Sequence, residues 1–130
     1  AEKSYQMVQG LLQYNTLPNL LANHPPMQMD GNFGITAAVC EMLLESHAGE
    51  LHLLPALPSA WPAGQAIGLC ARGGYKVNLY WTEGQLISVA IRASRDGACT
   101  VHLGDRRAEF TLRAGQRLTL DDQLQPRGDK

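Results

Sequence analysis

The sequence has little excess charge of either sign and contains no long apolar run. Eleven Lys and Arg residues stand against twelve Asp and Glu residues, which gives a formal net charge of -1 over 130 residues. Without a basic block, neither a nucleic-acid surface nor an anchor to acidic lipids is expected. No apolar stretch approaches the roughly 20 residues of a membrane helix, so no membrane association is expected. Residues 1–5 contain neither an initiator Met nor a signal peptide, which predicts a fragment or a processed chain.

Cysteine is also scarce, and its pattern excludes the usual metal and disulfide frameworks. Cys40, Cys70 and Cys99 are odd in number and widely spaced, and no CxxC pair is present. The four histidines show no metal-ligand spacing with them, so the sequence predicts no metal and no other cofactor. Cys40 falls on an apolar helix face and Cys99 on an apolar strand face. Buried free thiols are therefore the expected state of the cysteines.

The first third of the chain has the apolar spacing of helices. A first helix is predicted over residues 4–14, with an apolar stripe of Met7, Val8, Leu11 and Leu12. The rigid pair Pro25-Pro26 then forces an extended loop. A second helix is predicted from Phe33 to Ser46, with Asp30-Gly31-Asn32 as the turn and N-cap before it and residues 47–49 as its C-terminal stop.

After Gly49 the hydrophobic period changes from 3.6 to 2. The alternation predicts about seven short strands that form an antiparallel β-sandwich, with turns at Gly-containing pairs such as Glu83-Gly84 and Asp96-Gly97. The side chains expected inside are Val77, Leu79, Trp81, Ile87, Val89 and Ile91, and those expected outside include Ser88 and Arg92. From Asp121 the chain is polar and is expected to fray.

This change of pattern predicts a mixed fold with a domain boundary. Residues 1–48 are expected to end a larger helical domain, residues 49–122 to form a β domain, and residues 123–130 to be a polar tail. Two helices cannot cover each other's apolar stripes. The stripe of the first helix is therefore expected to dimerise, to exchange between chains, or to dock on the chain's own surface.

One segment, residues 23–34, combines a stiff backbone with several polar groups of catalytic type. The Pro-Pro loop carries an imidazole at His24, an amide at Gln28 and a carboxylate at Asp30 to the start of the second helix. Fixed polar groups suit an active site, because a misplacement of about 1 Å can lower a rate about a hundredfold. The residues alone leave a structural alternative open, in which Asp30 or Asn32 caps the helix and His24 binds a loop carbonyl.

Two long motifs in this chain resemble those of glycoside hydrolase family 95, a family of α-L-fucosidases. Asn23-His24-Pro25-Pro26, Gln28 and Asp30-Gly31-Asn32-Phe33-Gly34 resemble the family's HPPFQIDGNFG signature. Residues 53–74, with Leu-Leu-Pro-Ala-Leu-Pro and Ala-Arg-Gly-Gly, resemble a second family segment. The likeness covers about residues 5–92. Met27 and Met29 depart from it, since the family usually has an aromatic and an aliphatic residue there.

The resemblance implies an architecture and a mechanism. This chain would hold the last helices of an (α/α)6 barrel followed by the C-terminal β domain. The family's enzymes are inverting: an acid protonates the leaving oxygen while water attacks the opposite face of the sugar. Asp30 matches the catalytic aspartate that polarises the asparagines activating this water, and His24 and Asn32 are the candidate substrate-binding residues. The acid and those asparagines would lie in earlier barrel segments, so this chain alone is expected to be inactive.

The resemblance also implies partners and a compartment, although the sequence leaves alternatives open. Fucosylated oligosaccharides or glycans, with α-1,2-linked fucose in most family members, would be the substrates of the complete enzyme. A secreted or periplasmic bacterial protein is implied. For the β domain, the alternatives are a stand-alone carbohydrate-binding module and a purely structural unit. With aromatic residues at only 6%, and with Trp81 sharing the inward face with Val77 and Leu79, the structural role is favoured.

Overall fold

The computed structural model describes residues 1–47 and 49–128 and shows two helices followed by eight strands. The helices are α1 (Glu2–Tyr14) and α2 (Met29–Leu43). The strands are β1 (Leu44–Glu45), β2 (Glu50–Leu53), β3 (Gly64–Ala71), β4 (Tyr75–Thr82), β5 (Gln85–Ala93), β6 (Gly97–Leu103), β7 (Arg106–Leu112) and β8 (Arg117–Leu120). Neither helix in the described part of the chain has the length and apolar character needed to cross a membrane.

The strands form two four-stranded sheets that share one core. Their orders are β1-β2-β6-β7 and β3-β4-β5-β8, and the pairs are antiparallel except for β2 beside β6, which is parallel. One cluster of buried side chains combines Leu51 and Val101 from the first sheet with Leu79 and Ile91 from the second. The predicted class, two helices followed by a largely antiparallel sandwich, is confirmed, and the parallel pair is the feature that the pattern did not predict.

The alternation predicted for β4 is confirmed, whereas that for β5 is wrong at one residue. Val77, Leu79 and Trp81 are buried. In β5, Val89 and Ile91 are fully buried, but Ile87 is 42% exposed and Leu86 takes the inward place. The reason is a β-bulge: Tyr80 pairs with Ser88 while Trp81 pairs with Leu86, so one extra residue shifts the phase of the strand.

We expect Val89→Ala to lower the free energy of unfolding by about 1–3 kcal/mol, because it removes buried methyl groups and leaves a cavity. Ile87→Ala should cost less than about 1 kcal/mol, because that side chain is already largely in solvent. Urea denaturation of the two variants measures both values. Equal losses would contradict the bulge and restore the simple alternation.

Helix α2 begins and ends earlier than the sequence predicts. It runs from Met29 to Leu43, so Asp30-Gly31-Asn32 forms its first turn instead of a turn before it. At the other end, the Leu43 and Met42 carbonyls accept hydrogen bonds from the N–H groups of Leu54 and Ala56, and the chain goes directly into β1. These hydrogen bonds satisfy carbonyl groups in the last turn of the helix, so the helix ends without a glycine at its C-terminus. The predicted stop at 47–49 includes Ala48, which lies outside the described residues.

Helix α1 docks on the β sandwich by one edge. Val8 is buried, the Tyr5 ring meets Trp61 edge-on at 5.7 Å, and the Ser59 N–H donates to Glu2 Oε1 at 2.7 Å. The Ser59 hydrogen bond lowers the pKa of the Glu2 carboxyl. The rest of the predicted stripe stays exposed, including Met7 at 65%. Docking on the chain's own surface is therefore present, and self-association through the exposed part stays a prediction.

The expected fraying after Asp121 is wrong through residue 127. Leu124 is only 2% exposed and belongs to the core cluster. The Arg127 N–H donates to Thr119 O, and the Asp121 N–H donates to Gln125 O. A single buried leucine thus holds a polar segment against the sheet. The last two residues of the predicted tail, 129 and 130, lie outside the described residues.

The expectation of buried thiols holds for Cys99 but is wrong for Cys70. Cys99 is buried in β6, and burial raises the pKa of its thiol to about 11. Cys40 is partly exposed and Cys70 is exposed. Cys70 lies on β3, the edge strand of its sheet, with its side chain turned to the solvent face.

Candidate functional site

The loop that joins the two helices folds back on itself before it reaches α2. Thr16 and Ala22 form an isolated antiparallel bridge, and the Asn23 N–H donates to Asn15 O at 2.7 Å. The Thr16 hydroxyl donates to Leu11 O at 2.9 Å, which ties the loop to the last turns of α1. These contacts therefore fix the direction in which residues 23–28 approach the start of α2.

Asn32 fastens this loop to the first turn of α2. Its Nδ2 donates to Leu20 O at 2.6 Å and its Oδ1 accepts from the Ala22 N–H at 3.0 Å. One side chain thus satisfies a donor and an acceptor of a loop that has no ladder of its own. The amide keeps a second N–H beyond these two bonds. Asn32 is therefore a bracing residue in this structure, and the N-cap position belongs to Gln28.

Asp30 lies on the same turn but on a different side of the helix. Residues two apart on a helix do not face each other, so Asp30 points away from the loop that Asn32 holds. Its side chain is exposed and makes no hydrogen bond or ion pair within residues 1–47 and 49–128. A capping role is absent for α2, whose N-cap has no side-chain bond. The exposed carboxylate is therefore available to donors from outside the described residues.

His24 lies in the loop, five residues before α2 begins. Its Nδ1 is 3.2 Å from the Pro26 carbonyl oxygen, and the Pro25-Pro26 peptide bond is cis. The tautomer with the proton on Nδ1 donates to this carbonyl and leaves Nε2 as an acceptor at the surface. The structure thus contains the loop-carbonyl contact that the sequence left as an alternative, and it also leaves one ring nitrogen accessible.

The surface around these residues is unusually apolar. Among the described residues, nine of the twelve exposed large hydrophobic residues lie between Met7 and Phe33, and Phe33 itself is 67% exposed on α2. Leu20, Met27 and Met29 are between 48% and 71% exposed. Exposed apolar side chains in this number are typical of a packing interface or a binding surface.

A second group of polar side chains, which the sequence did not predict, lies on the outer face of the β1-β2-β6-β7 sheet. Glu50, His52 and His102 place three potential ligand atoms within 4.8 Å of one another. Glu50-x-His52 on one strand is a signal that sequence reasoning could have used, since residues two apart share a face. The third member, 50 residues later, depends on the parallel pairing of β2 with β6.

Exposed aromatic side chains, which a sugar-binding face would need, are scarce on the β sandwich. Among its described residues the only large aromatic side chain classed as exposed is Tyr80, at 36%. Trp81 is buried, and Trp61 is partly covered by Tyr5 of α1. The described sheet faces therefore contain no row of stacking aromatics.

Comparisons with known proteins place the two parts of the chain in one family. Residues 45–124 match the description "Glycoside hydrolase family 95, C-terminal domain", and residues 1–43 match "Glycosyl hydrolase family 95 catalytic domain". The segment that carries His24, Asp30 and Asn32 lies within the second match. The first match begins at the start of the β sandwich.

Similar whole proteins are named as fucosidases. The chain is 40% identical over 107 residues to "Alpha-L-fucosidase 2" of Arabidopsis thaliana, which covers 82% of this chain and 13% of that protein. It is 30% identical over 100 residues to "Probable alpha-fucosidase A" of Aspergillus niger, covering 66% of this chain and 13% of that protein. The matching protein of Aspergillus oryzae is 36% identical over 73 residues, covering 48% and 10%. The chain thus spans about an eighth or less of the length of these relatives.

Proposed function

The chain belongs to glycoside hydrolase family 95, and from this membership we propose that it is the C-terminal part of an inverting α-L-fucosidase. The observation that carries the proposal is the order of the two matches, a catalytic-domain end at residues 1–43 directly followed by the C-terminal domain. The names of the similar proteins support α-L-fucosides as substrates. Glycans with α-1,2-linked fucose are the proposed substrates of the complete enzyme.

We propose that residues 1–48 end the catalytic barrel, that residues 49–122 form its C-terminal β domain and that residues 123–130 are its tail. The exposed apolar surface between Met7 and Phe33 supports this division, since neighbouring barrel helices would cover it. The pairing of β1 with β2 favours a boundary a few residues earlier, near Leu44. The packing of Leu124 favours a β domain that includes the first part of the tail.

In the proposed mechanism, Asp30 acts through other side chains. Its accessible carboxylate accepts hydrogen bonds from the amide N–H groups of asparagines in earlier barrel segments, which turns their oxygens toward the attacking water. A separate carboxylic acid, also outside this chain, protonates the leaving oxygen, as inversion requires. Because these groups lie elsewhere, residues 1–130 alone should not hydrolyse fucosides.

His24 and Asn32 are proposed to act on the substrate side of the site. The His24 Nε2 is available to accept a hydrogen bond from a sugar hydroxyl when Nδ1 is held by the Pro26 carbonyl. Asn32 has one N–H left for such a contact, while its two loop bonds fix the direction in which His24 enters. Asn32 can therefore brace the loop and contact the substrate at the same time, and by bracing the loop it also positions His24.

For the β domain we propose a structural role. The scarcity of exposed aromatics and the docking of α1 through Tyr5 and Trp61 favour a unit that supports the end of the barrel. A carbohydrate-binding module is the second candidate, and Tyr80 is its one exposed aromatic among the described residues.

Hydrolysis of an α-1,2-fucosyl oligosaccharide by the complete protein that contains this chain tests the proposal. Proton NMR should show β-L-fucose as the first product, because inversion converts the α linkage to the β anomer. The 130-residue chain alone serves as the control and should release no fucose. A first product of α configuration would overturn inversion, and no hydrolysis of any α-L-fucoside would overturn the substrate class.

A further inference from the structure

A row of four ionisable side chains crosses the outer face of the β1-β2-β6-β7 sheet in register. Glu45 of β1 pairs with His52 of β2, His52 pairs with His102 of β6, and His102 pairs with Arg107 of β7. Glu50 lies on the same face as His52, two residues earlier, and Leu51 between them is buried in the core. With Glu50 beside this row, two imidazoles and one carboxylate from β2 and β6 lie together on one face.

The contacts within this group are close. His102 Nε2 lies 2.7 Å from Glu50 Oε2, and His52 Nε2 lies 3.7 Å from the same oxygen. The two imidazole rings are stacked, with centroids 4.6 Å apart and planes within 2° of parallel. All three side chains are between 21% and 35% exposed, whereas the His102 Nε2 atom is itself sheltered from solvent.

His102 Nε2 makes no hydrogen bond to Glu50, although Glu50 Oε2 is only 2.7 Å away. Although Glu50 Oε2 is close, the direction is poor for a hydrogen bond, and the sheltered Nε2 has no hydrogen-bond partner among the described residues. The repulsion between a ring lone pair and a carboxylate oxygen at this distance is relieved either by a proton on Nε2 or by a cation that both atoms bind. A cation in this position would use lone pairs of both Glu50 and His102, which no hydrogen bond of His102 Nε2 occupies among the described residues.

We propose that Glu50, His52 and His102 form a binding site for a divalent transition-metal ion of the zinc type. Two imidazole nitrogens and one carboxylate oxygen are a common zinc donor set, usually completed by water. Tetrahedral coordination separates ligand atoms by about 3.3 Å, within the range that the three atoms span. Because the rings are parallel, they must rotate about χ2 for both lone pairs to converge, and their partial exposure leaves room for this.

Arg107 and Glu109 support the site from β7. Arg107 Nη2 lies 3.3 Å from Glu50 Oε1 and 2.6 Å from Glu109 Oε1. The guanidinium therefore holds the carboxylate by the oxygen that the ion would not use, as supporting groups of metal ligands commonly do. Burial raises the pKa of Glu50, but Arg107 and His102 together lower it overall. With two carboxylates and one guanidinium, the cluster carries a net negative charge when the imidazoles are neutral.

The proposed ion would connect β2 to β6, the parallel pair of the sandwich. β2 is short and follows directly on the segment that leads from α2 into the sheet. A metal bound across this pair would hold the entry of the β domain to a strand about 50 residues later. The expected role is therefore stabilisation of this edge of the fold, since binding to the folded state alone raises its stability.

Zinc titration of the 130-residue chain by calorimetry tests the proposal, with Cys70→Ser as the background to remove the exposed thiol. We expect one ion per chain and a higher melting temperature with Zn²⁺. His52→Ala and His102→Gln should each weaken Zn²⁺ binding at least about tenfold, and Glu50→Gln should act in the same direction. His24→Ala, a histidine outside the cluster, is the matched control and should bind as the background does.

Cobalt spectroscopy identifies the ligands independently. Co²⁺ in this site should give weak visible bands without the intense thiolate-to-metal band that cysteine ligation produces. A thiolate band, or binding that His52→Ala and His102→Gln leave unchanged, would overturn the assignment. Absence of Zn²⁺ binding at neutral pH in the folded chain would also overturn it and would leave a shared proton as the cation between Glu50 and His102.

Discussion

Asp30→Asn in the complete enzyme is expected to lower kcat about a hundredfold or more, with little change in folding stability. The amide that replaces the carboxylate presents N–H groups where the proposed asparagine partners need an acceptor, so the attacking water loses its general-base assistance. Stability should change little because Asn keeps the size of Asp and because Asp30 forms no bond within the described residues that the change would break. Steady-state kinetics on an α-L-fucoside and a thermal melt of the same preparation measure the two effects.

Glu41→Gln is the matched control for this experiment. It makes the same carboxylate-to-amide change on the same helix, at an exposed position two turns or more from the loop. Its kcat should stay close to that of the parent. If Asp30→Asn also keeps the parental kcat while folding normally, Asp30 is outside the mechanism. A large loss of stability with normal turnover per folded molecule would instead assign it a structural role.

The alternation of apolar and polar residues was enough to predict the fold class, because each strand buries the side chains of one face and exposes those of the other. Val77, Leu79 and Trp81 alternate with polar neighbours and are buried as expected. The error at Ile87 has a local cause that composition does not reveal, since a bulge adds one residue to a strand without changing its residue types. The burial of Leu124 was not predicted for a similar reason, because a single apolar residue in a polar segment gives no periodic pattern from which burial could be inferred.

The ends of α2 depend on partners far along the chain. The amides of Leu54 and Ala56 satisfy the carbonyls of Leu43 and Met42, which removes the need for a glycine stop. Asn32 has the residue type of an N-cap, but the loop at Leu20 and Ala22 offers it two backbone partners at once. Local propensity therefore predicted that the helix exists, while tertiary contacts decided its boundaries.

The two candidate sites differ in how far sequence could predict them. His24, Asp30 and Asn32 lie within nine residues, so a single motif contains them and its resemblance to a family names their roles. Glu50, His52 and His102 meet only because β2 pairs with β6 in parallel, in the register that puts His52 beside His102. Antiparallel hairpins are predictable from turn residues, but a parallel pairing of residues 50 positions apart has no such signal.

The largest stability loss is expected for Trp81→Ala, at about 3–5 kcal/mol, because the variant empties a core position in a central strand. Trp81 is 7% exposed, and its Nε1–H donates to Trp61 O at 3.0 Å. The indole also fills the space above Gly64, where an added Cβ would lie 2.5 Å from Trp81 Cζ2. A loss of this size is a large fraction of the 5–15 kcal/mol that stabilises a typical domain.

Chemical denaturation of the 130-residue chain measures the loss, and Tyr80→Ala is the matched control. Tyr80 is the neighbouring aromatic on β4 but points to the opposite face, so its removal should cost about 1 kcal/mol or less. Since the Trp61 ring packs against Tyr5, Trp81→Ala should also loosen α1 and speed hydrogen exchange of amides in residues 5–14. Equal losses for the two variants would mean that Trp81 does not pack in the core. Unchanged exchange in α1 would mean that the helix docks independently of this indole.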